Sequence, residues 1–402
     1  MISILCRSAV TLLLIGLAGS NAVGQSRSRA RALGIPLEGT PGQFNAITDV
    51  PGVEVGVVTL ISGVGKLVPG KGPIRTGVTA ILPRGKASHQ AVQGAWFSLN
   101  GSGEMTGTTW VEESGVLDGP IMITNTHSVG AVHSATVEWL LDRAKPLWVL
   151  PVVAETFDGS LNDVNGFHVR KEHAIAALDA AKGGPVAEGN VGGGTGMVCH
   201  QFKGGTGTSS RRIALLGQTY TVGVLVQCNY GTRSRLSVVG VPVGREIPDL
   251  LPCFSALPDA TFAGQPNCDS GSGSDSGGDG SIIVVVATDV PLLPHQLKRV
   301  AKRAAIGIAR MGGLGENLSG DIFIAFSTAN PGADREDSLL MMQAIPNGAI
   351  NPVFEATVEA TSEAILNAML AAETMTGVNG RRVYAIPHDR LLAALRKYGR
   401  VR

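Results

Sequence analysis

An excess of charge of either sign is missing from this sequence. Its 33 Lys and Arg residues stand against 32 Asp and Glu, a formal net charge of +1, which leaves no electrostatic footprint for nucleic acid or for an anionic membrane surface. Aromatic residues are also scarce, at 4%, although an apolar fraction of 44% is ample for a core without them. The five cysteines include no C-x-x-C pair, which argues against a structural zinc site. H-E-x-x-H is absent, and His168 and His173 lie among charged residues at a helix start, so the histidines read as ordinary. No G-x-S-x-G nucleophile elbow occurs. The glycine-rich stretch Gly189–Gly196 lacks the Gly-Lys-Ser/Thr ending of a phosphate loop. It reads instead as close backbone packing or a substrate-lining loop.

The longest apolar run near the N-terminus, Ala9 to Ala18, is too short to span a bilayer as a retained helix. Arg7 precedes it, and the small residues Ser20, Ala22 and Gly24 follow. That is the pattern of a secretory signal peptide. We expect residues 1–24 to be removed on export to the periplasm, leaving no membrane segment and a disordered basic tail carrying Arg27, Arg29 and Arg31. Cys6 would leave with the leader. Cys199 and Cys228, in apolar or Gly-rich surroundings, read as buried thiols. Cys253 and Cys268 flank a loop where an oxidising compartment would permit a bond, a pairing the spacing leaves open.

Glycine is what the chain has in abundance, with 54 residues and no fixed period, a sign of many tight turns and close backbone approaches. Between them, apolar runs predict strands over 53–60, 77–83, 120–124, 148–154, 219–227 and 321–326. Helical spacing predicts helices over 129–144, 171–181, 297–311, 351–372 and 389–398. Pro352 marks one helix start, and Gly312-Gly313 a helix end. Strands and helices are mixed, with no repeat, so the expectation is one layered α/β domain.

The stretch that singles itself out is the boundary at Gly280-Ser281. Before it lies the only low-complexity segment, Gly271 to Gly278; after it runs Ile282-Ile283-Val284-Val285-Val286, the signature of a buried central strand. Asp275-Ser276-Gly277-Gly278 matches the letters around the nucleophile of trypsin-like proteases, but a serine in a Gly/Ser tail without companion motifs has nothing to hold it in attack geometry. Ser281 is different. A hydroxyl directly after glycine is set to attack the preceding carbonyl and convert the amide to an ester that water hydrolyses. The released α-amine has an ordinary pKa near 7.7–8.0, which suits it to help take the hydroxyl proton.

Asp279 to Asp289 with Pro291-Leu292-Leu293-Pro294-His295-Gln296-Leu297 resembles the self-processing aminopeptidases typified by DmpA, which include L-aminopeptidase/D-amidases and β-peptidyl aminopeptidases. So do Gly103–Gly107, Glu155–Gly159, Gly189–Gly196, Gln227–Gly231 and Ser319–Ser327, which together cover nearly the whole mature chain. The resemblance implies a four-layer αββα sandwich, a single domain made of two chains after autocleavage between Gly280 and Ser281: an α chain 25–280, with a flexible tail over about 264–280, and a β chain 281–402. It implies Ser281 as nucleophile, with Ser319 and Asp321 assisting the new amino terminus and Asn229 stabilising the oxyanion. Glu155 would hold the substrate's free amine. Phe157 lines the substrate site where the D-amidase branch has tyrosine, which moves the expectation toward the β-peptidyl branch. Neither metal nor cofactor is implied. The expected partners are a small peptide, amide or ester substrate and other copies of the αβ unit in an even-numbered homo-oligomer. Three readings stand beside this one: an L-aminopeptidase/D-amidase, an acyltransferase on a related self-cleaving fold, and a non-catalytic exported binding protein.

Overall fold

The apolar run after Ser281 lies at the middle of the molecule in the computed structural model, which describes residues 28–144, 148–255, 267–268, 280–335 and 337–402. The leader 1–24 lies outside these residues, as does most of the expected tail over 264–280.

In chain order the first strands are β1 (Glu54–Ser62), β2 (Ile74–Leu82), β3 (Val92–Ser98), β4 (Val116–Leu117), β5 (Ile121–Asn125) and β6 (Val152–Thr156). Two short strands follow, β7 (Val198–Cys199) and β8 (Phe202–Lys203), then the long hairpin β9 (Gly205–Leu215) and β10 (Gln218–Asn229). The last are β11 (Cys253–Phe254), β12 (Ser281–Thr288), β13 (Asp321–Ser327), β14 (Met375–Thr376) and β15 (Arg381–Val383). The helices are α1 (Thr108–Ser114), α2 (Val129–Ala144), α3 (Lys171–Asp179), α4 (Val243–Glu246), α5 (Pro294–Arg310), α6 (Asn351–Leu370) and α7 (His388–Lys397).

Of the two large sheets, one runs β1-β2-β5-β6 and the other β4-β3-β13-β12-β10-β9. Side-chain alternation along each strand gives both sheets two apolar faces. Ile81, Ile121, Ile123 and Ala154 of the first sheet meet Leu225, Ile283, Val285 and Ile324 of the second in a central core. On the outer face of the first sheet, Val78, Ala80, Met122 and Val153 pack on α2 and α3 through Val132, Trp139, Ala174 and Leu178. On the outer face of the second, Val224, Val284, Val286 and Phe323 pack on α5 and α6. The result is the expected αββα stack. In α5, Leu293 caps the first turn with its N–H donated to Gln296 Oε1 at 3.0 Å, and Pro294 occupies a position where no N–H is needed. Its buried stripe, Leu297, Val300, Ala304 and Ile308, removes apolar surface worth about 1.5–3 kcal/mol for each large side chain.

Three expectations are corrected here. The strand expected over 148–154 runs instead from Val152 to Thr156. Pro151 has no N–H for a ladder, and Trp148 turns outward to pack edge-on against Trp110. Cys199 and Cys228 are fully buried, as expected, but they are disulfide-bonded and not free thiols. The β7–β8 hairpin folds over the end of β10 and brings together two cysteines that are 29 residues apart. Cys253 and Cys268 are bonded as well.

The third correction concerns the basic tail. Arg27 is outside the described residues, whereas Arg29 and Arg31 are docked. Arg29 pairs with Glu188 at 2.8 Å and donates to the carbonyls of Phe44 and Thr208 at 2.9 and 2.6 Å. Arg31 pairs with Glu363 of α6 at 3.0 Å, and Arg211 of β9 reaches the same carboxylate at 2.8 Å. Glu363 is fully buried and Arg211 nearly so. Buried charges persist only when paired, so this cluster ties the N-terminal segment, β9 and α6 into one unit. Arg211→Met removes one partner of a buried pair and is expected to lower stability by about 3–5 kcal/mol, read as a lower urea midpoint. An unchanged midpoint would show the cluster to be dispensable.

Candidate active site

Strand β12 is the only neighbour shared by β10 and β13, and its registers set the site. It runs antiparallel to β10, with Ser281 opposite Asn229, and parallel to β13, with Ile282 opposite Asp321. Residues far apart in sequence thus meet at one end of the central sheet. On β12, Ile283, Val285 and Ala287 face the inter-sheet core, and on β10 Leu225 does the same. Ser281 and Asn229 share that parity, so both belong to the face turned toward the other sheet.

Ser281 is 6% exposed, and its Oγ accepts the Gly320 N–H at 3.0 Å. Asn229 is held at both ends of its amide: Oδ1 accepts from the Val198 N–H at 2.7 Å and Nδ2 donates to the Phe157 carbonyl at 3.0 Å. Ser319 Oγ lies 2.6 Å from Asp321 Oδ1 and also contacts the carbonyl oxygen of Gly280. One hydroxyl proton therefore has two acceptors. Asp321 is fully buried, and desolvation pushes its carboxyl up to about 6, against hydrogen bonds from Ser319, the Ile282 backbone and Asn100 that pull it down. Asn100 accepts the Asp321 N–H at 2.6 Å and donates to its carboxylate at 3.3 Å.

Glu155 sits near the end of β6 and is 3% exposed. Thr126 Oγ1 donates to one of its oxygens and the Glu104 N–H to the other, the latter at 3.0 Å. Burial raises its pKa, and these two donors only partly offset the shift. Ser281, Asn229, Glu155, Phe157 and Gly280 all line one cavity of about 560 Å³, with Ser319 and Asp321 adjoining it beside Gly280. The Phe157 ring is half-exposed there. All seven residues named from the sequence are therefore brought together.

The Gly189–Gly196 loop is not among the cavity-lining residues. Its residues 192–196 form a fully buried 3₁₀ turn packed against β2, so the close-packing reading holds. Asn100, Thr126 and Arg381 escape the sequence reading. Thr126 had a signal, a polar step directly after a buried strand; Asn100 and Arg381 sit in no motif.

Gly280 and Gly320 are glycines for steric reasons. A Cβ on Gly280 would overlap the Asn229 carbonyl oxygen, and one on Gly320 would lie 2.6 Å from the Ser102 carbonyl oxygen and 2.7 Å from Gly103 Cα.

The sequence profile of peptidase family S58 matches residues 45–383. The chain is 55% identical over 391 residues to beta-peptidyl aminopeptidase BapA of Sphingosinicella microcystinivorans, covering 97% of each. Among solved structures it resembles the L-aminopeptidase D-Ala-esterase/amidase of Ochrobactrum anthropi, described as a variant of the Ntn hydrolase fold. There the TM-score is 0.83 at 46% identity, covering 93% of this chain and 99% of that one. It also resembles a Burkholderia beta-aminopeptidase, with a TM-score of 0.80 at 46% identity, covering 92% and 99%.

The crowding at Gly320 is directly testable. Gly320→Ala must push the 102–103 backbone aside or shift the N–H that holds Ser281 Oγ, at a cost of about 1–3 kcal/mol. Chemical denaturation should show that loss, whereas a stability equal to wild type would mean that the crossing has slack.

Proposed function

The chain belongs to peptidase family S58, and on that premise we propose that it is a self-processing serine aminopeptidase that removes an N-terminal β-amino acid from short peptides, amides and esters. The reading rests chiefly on one observation: Ser281 opens the central strand directly after a glycine whose carbonyl touches Ser319, while a buried carboxylate, Glu155, lines the same cavity.

In the uncut chain the Ser319 hydroxyl polarises the Gly280 carbonyl. Ser281 Oγ attacks the carbonyl carbon, the C–N bond breaks, and the hydroxyl proton passes to the departing nitrogen. Water hydrolyses the resulting ester, freeing the Gly280 carboxylate and the Ser281 α-amine. In turnover that amine takes the Oγ proton as Ser281 attacks the substrate. Ser319, backed by Asp321, orients the amine. Asn229 has one N–H committed to Phe157 and a second to offer the oxyanion. Glu155 holds the substrate ammonium through a charge-assisted hydrogen bond, which selects for a free N-terminus. The leaving amine departs, and water deacylates Ser281.

The preference for β-residues is supported by the names of the relatives and by Phe157, which offers the cavity a ring without a hydroxyl. Comparing kcat/KM on β- and α-aminoacyl p-nitroanilides decides it against the L-aminopeptidase/D-amidase reading. Export to the periplasm rests on the leader pattern at 1–24, and assembly of αβ units into an even-numbered homo-oligomer on the family resemblance.

On a denaturing gel the wild type should separate into a 122-residue chain, 281–402, and a larger N-terminal chain. Ser281→Ala should stay uncut and lose activity by on the order of 10⁴-fold; residual turnover near wild type would reassign the nucleophile.

The ionisation of Asp321 makes a second test. Ionised above about 6, it accepts the Ser319 hydroxyl; protonated below, it loses its charge and resembles asparagine. The kcat/KM advantage of wild type over processed Asp321→Asn should be on the order of 10²-fold at pH 8 and shrink as pH falls through about 6. A ratio constant from pH 5 to 8 would remove Asp321 from that role.

A further inference from the structure

The cavity that holds Ser281 carries three charged side chains, Glu104, Glu155 and Arg381, and among the described residues the last has no carboxylate partner. Arg381 opens β15, where it pairs through the backbone with Phe254 of β11, next to the Cys253–Cys268 bond. Its Nε is buried without a hydrogen-bond acceptor. Among the described residues its guanidinium forms no ion pair, and burial lowers its pKa. The ring of Phe254, 5.7 Å from Cζ, covers a face of the guanidinium and takes none of its N–H donors. Buried donors are nearly always satisfied, and leaving a charged one bare is expensive. A planar fork of donors facing a cavity is suited to a carboxylate, which it binds in bidentate fashion.

The cavity thus has a desolvated carboxylate for the substrate's ammonium and a partly buried guanidinium that no carboxylate among the described residues answers. We propose that Arg381 binds the free C-terminal carboxylate of the substrate, so that the enzyme favours dipeptides and similarly short peptides over amides and longer chains. This rests on the aminopeptidase reading and adds a leaving-group preference to it. A volume of about 560 Å³ is in the range of pockets that enclose small ligands. Two opposite charges would read both ends of a peptide that fits between them. The rival occupant is the carboxylate freed at Gly280 by self-cleavage, which lines the same cavity.

The test compares kcat/KM for H-β-Ala-L-Ala-OH and H-β-Ala-L-Ala-NH₂, with H-β-Ala p-nitroanilide as a reporter that has no carboxylate. Processed wild type should favour the acid by about 10- to 100-fold, the range of a hydrogen-bonded charge, mostly through KM. Arg381→Met should bring the ratio near 1, and Arg381→Lys should keep part of it. A wild-type ratio near 1 with the p-nitroanilide still hydrolysed overturns the carboxylate site alone and favours the Gly280 carboxylate as occupant. A ratio that survives in Arg381→Met overturns it equally. If processed protein hydrolyses none of the three, the aminopeptidase reading fails and this inference with it. Should Arg381→Met not mature, the wild-type ratio still decides.

Discussion

The backbone ladder that seats β12 between β10 and β13 is the constraint from which the site follows. Every residue of β12 is buried, so its two faces must satisfy two different cores at once: Ile282, Val284 and Val286 toward α5 and α6, Ile283, Val285 and Ala287 toward the other sheet. A slip of one residue would exchange these faces and turn Ser281 away from the inter-sheet side. Register is therefore fixed by apolar packing along the whole strand, and the position of one hydroxyl at its end is a consequence. Asn229 and Asp321 are placed by the same ladders, through Asn229↔Ser281 and Ile282↔Asp321. A site built this way needs little local sequence to define it.

The polar groups at that end strain against the same packing. Asp321 and Glu155 are carboxyls held out of water, and both are raised in pKa because hydrogen bonds only partly replace the lost hydration. Such groups are tolerable where the surrounding framework has stability in reserve. Two extensive cores and the Arg31–Glu363–Arg211 cluster provide it at a distance from the cavity. The division is one of labour: apolar layers hold the strands, and desolvated charge is concentrated where it meets a ligand.

How much was legible in the sequence follows from which residues state their environment locally. The run Ile282–Val286 announces a buried strand, and Pro294 and Pro352 mark the starts of α5 and α6. Gly280 and Ser281 stood out by pattern, as a hydroxyl directly after glycine at the head of that strand, whereas the layer order and the other five site residues came through family resemblance. Strand β9 was invisible because its residues read as polar: Gly205 to Leu215 is mostly Gly, Thr, Ser and Arg. From Gly205 to Arg211 the strand is buried all the same, Ser209 donating to the Ala360 carbonyl at 2.6 Å and Arg211 pairing with Glu363 at 2.8 Å. Partners more than 100 residues away decide that outcome, and no window of sequence contains them. Arg29 and Arg31 were misread for the same reason, and the Cys199–Cys228 bond because a hairpin closes a separation of 29 residues. Each became structural only through a distant contact.

Gly280 joins the two kinds of constraint. Its lack of a side chain lets the backbone lie against the Asn229 carbonyl, close enough for Ser319 to reach its own carbonyl oxygen. A bulkier residue would lift that carbonyl away from the hydroxyl that touches it, and Ser281 would keep its strand while its neighbour lost its place. The residue before the nucleophile is therefore held as tightly as the nucleophile, although the segment leading to it is the most Gly/Ser-rich in the chain. The boundary at Gly280-Ser281 is thus not a linker meeting a domain: Gly280, half-buried, already packs against the Asn229 carbonyl, and the bond between Gly280 and Ser281 lies where the sheet, the cavity and the Ser319–Asp321 pair converge.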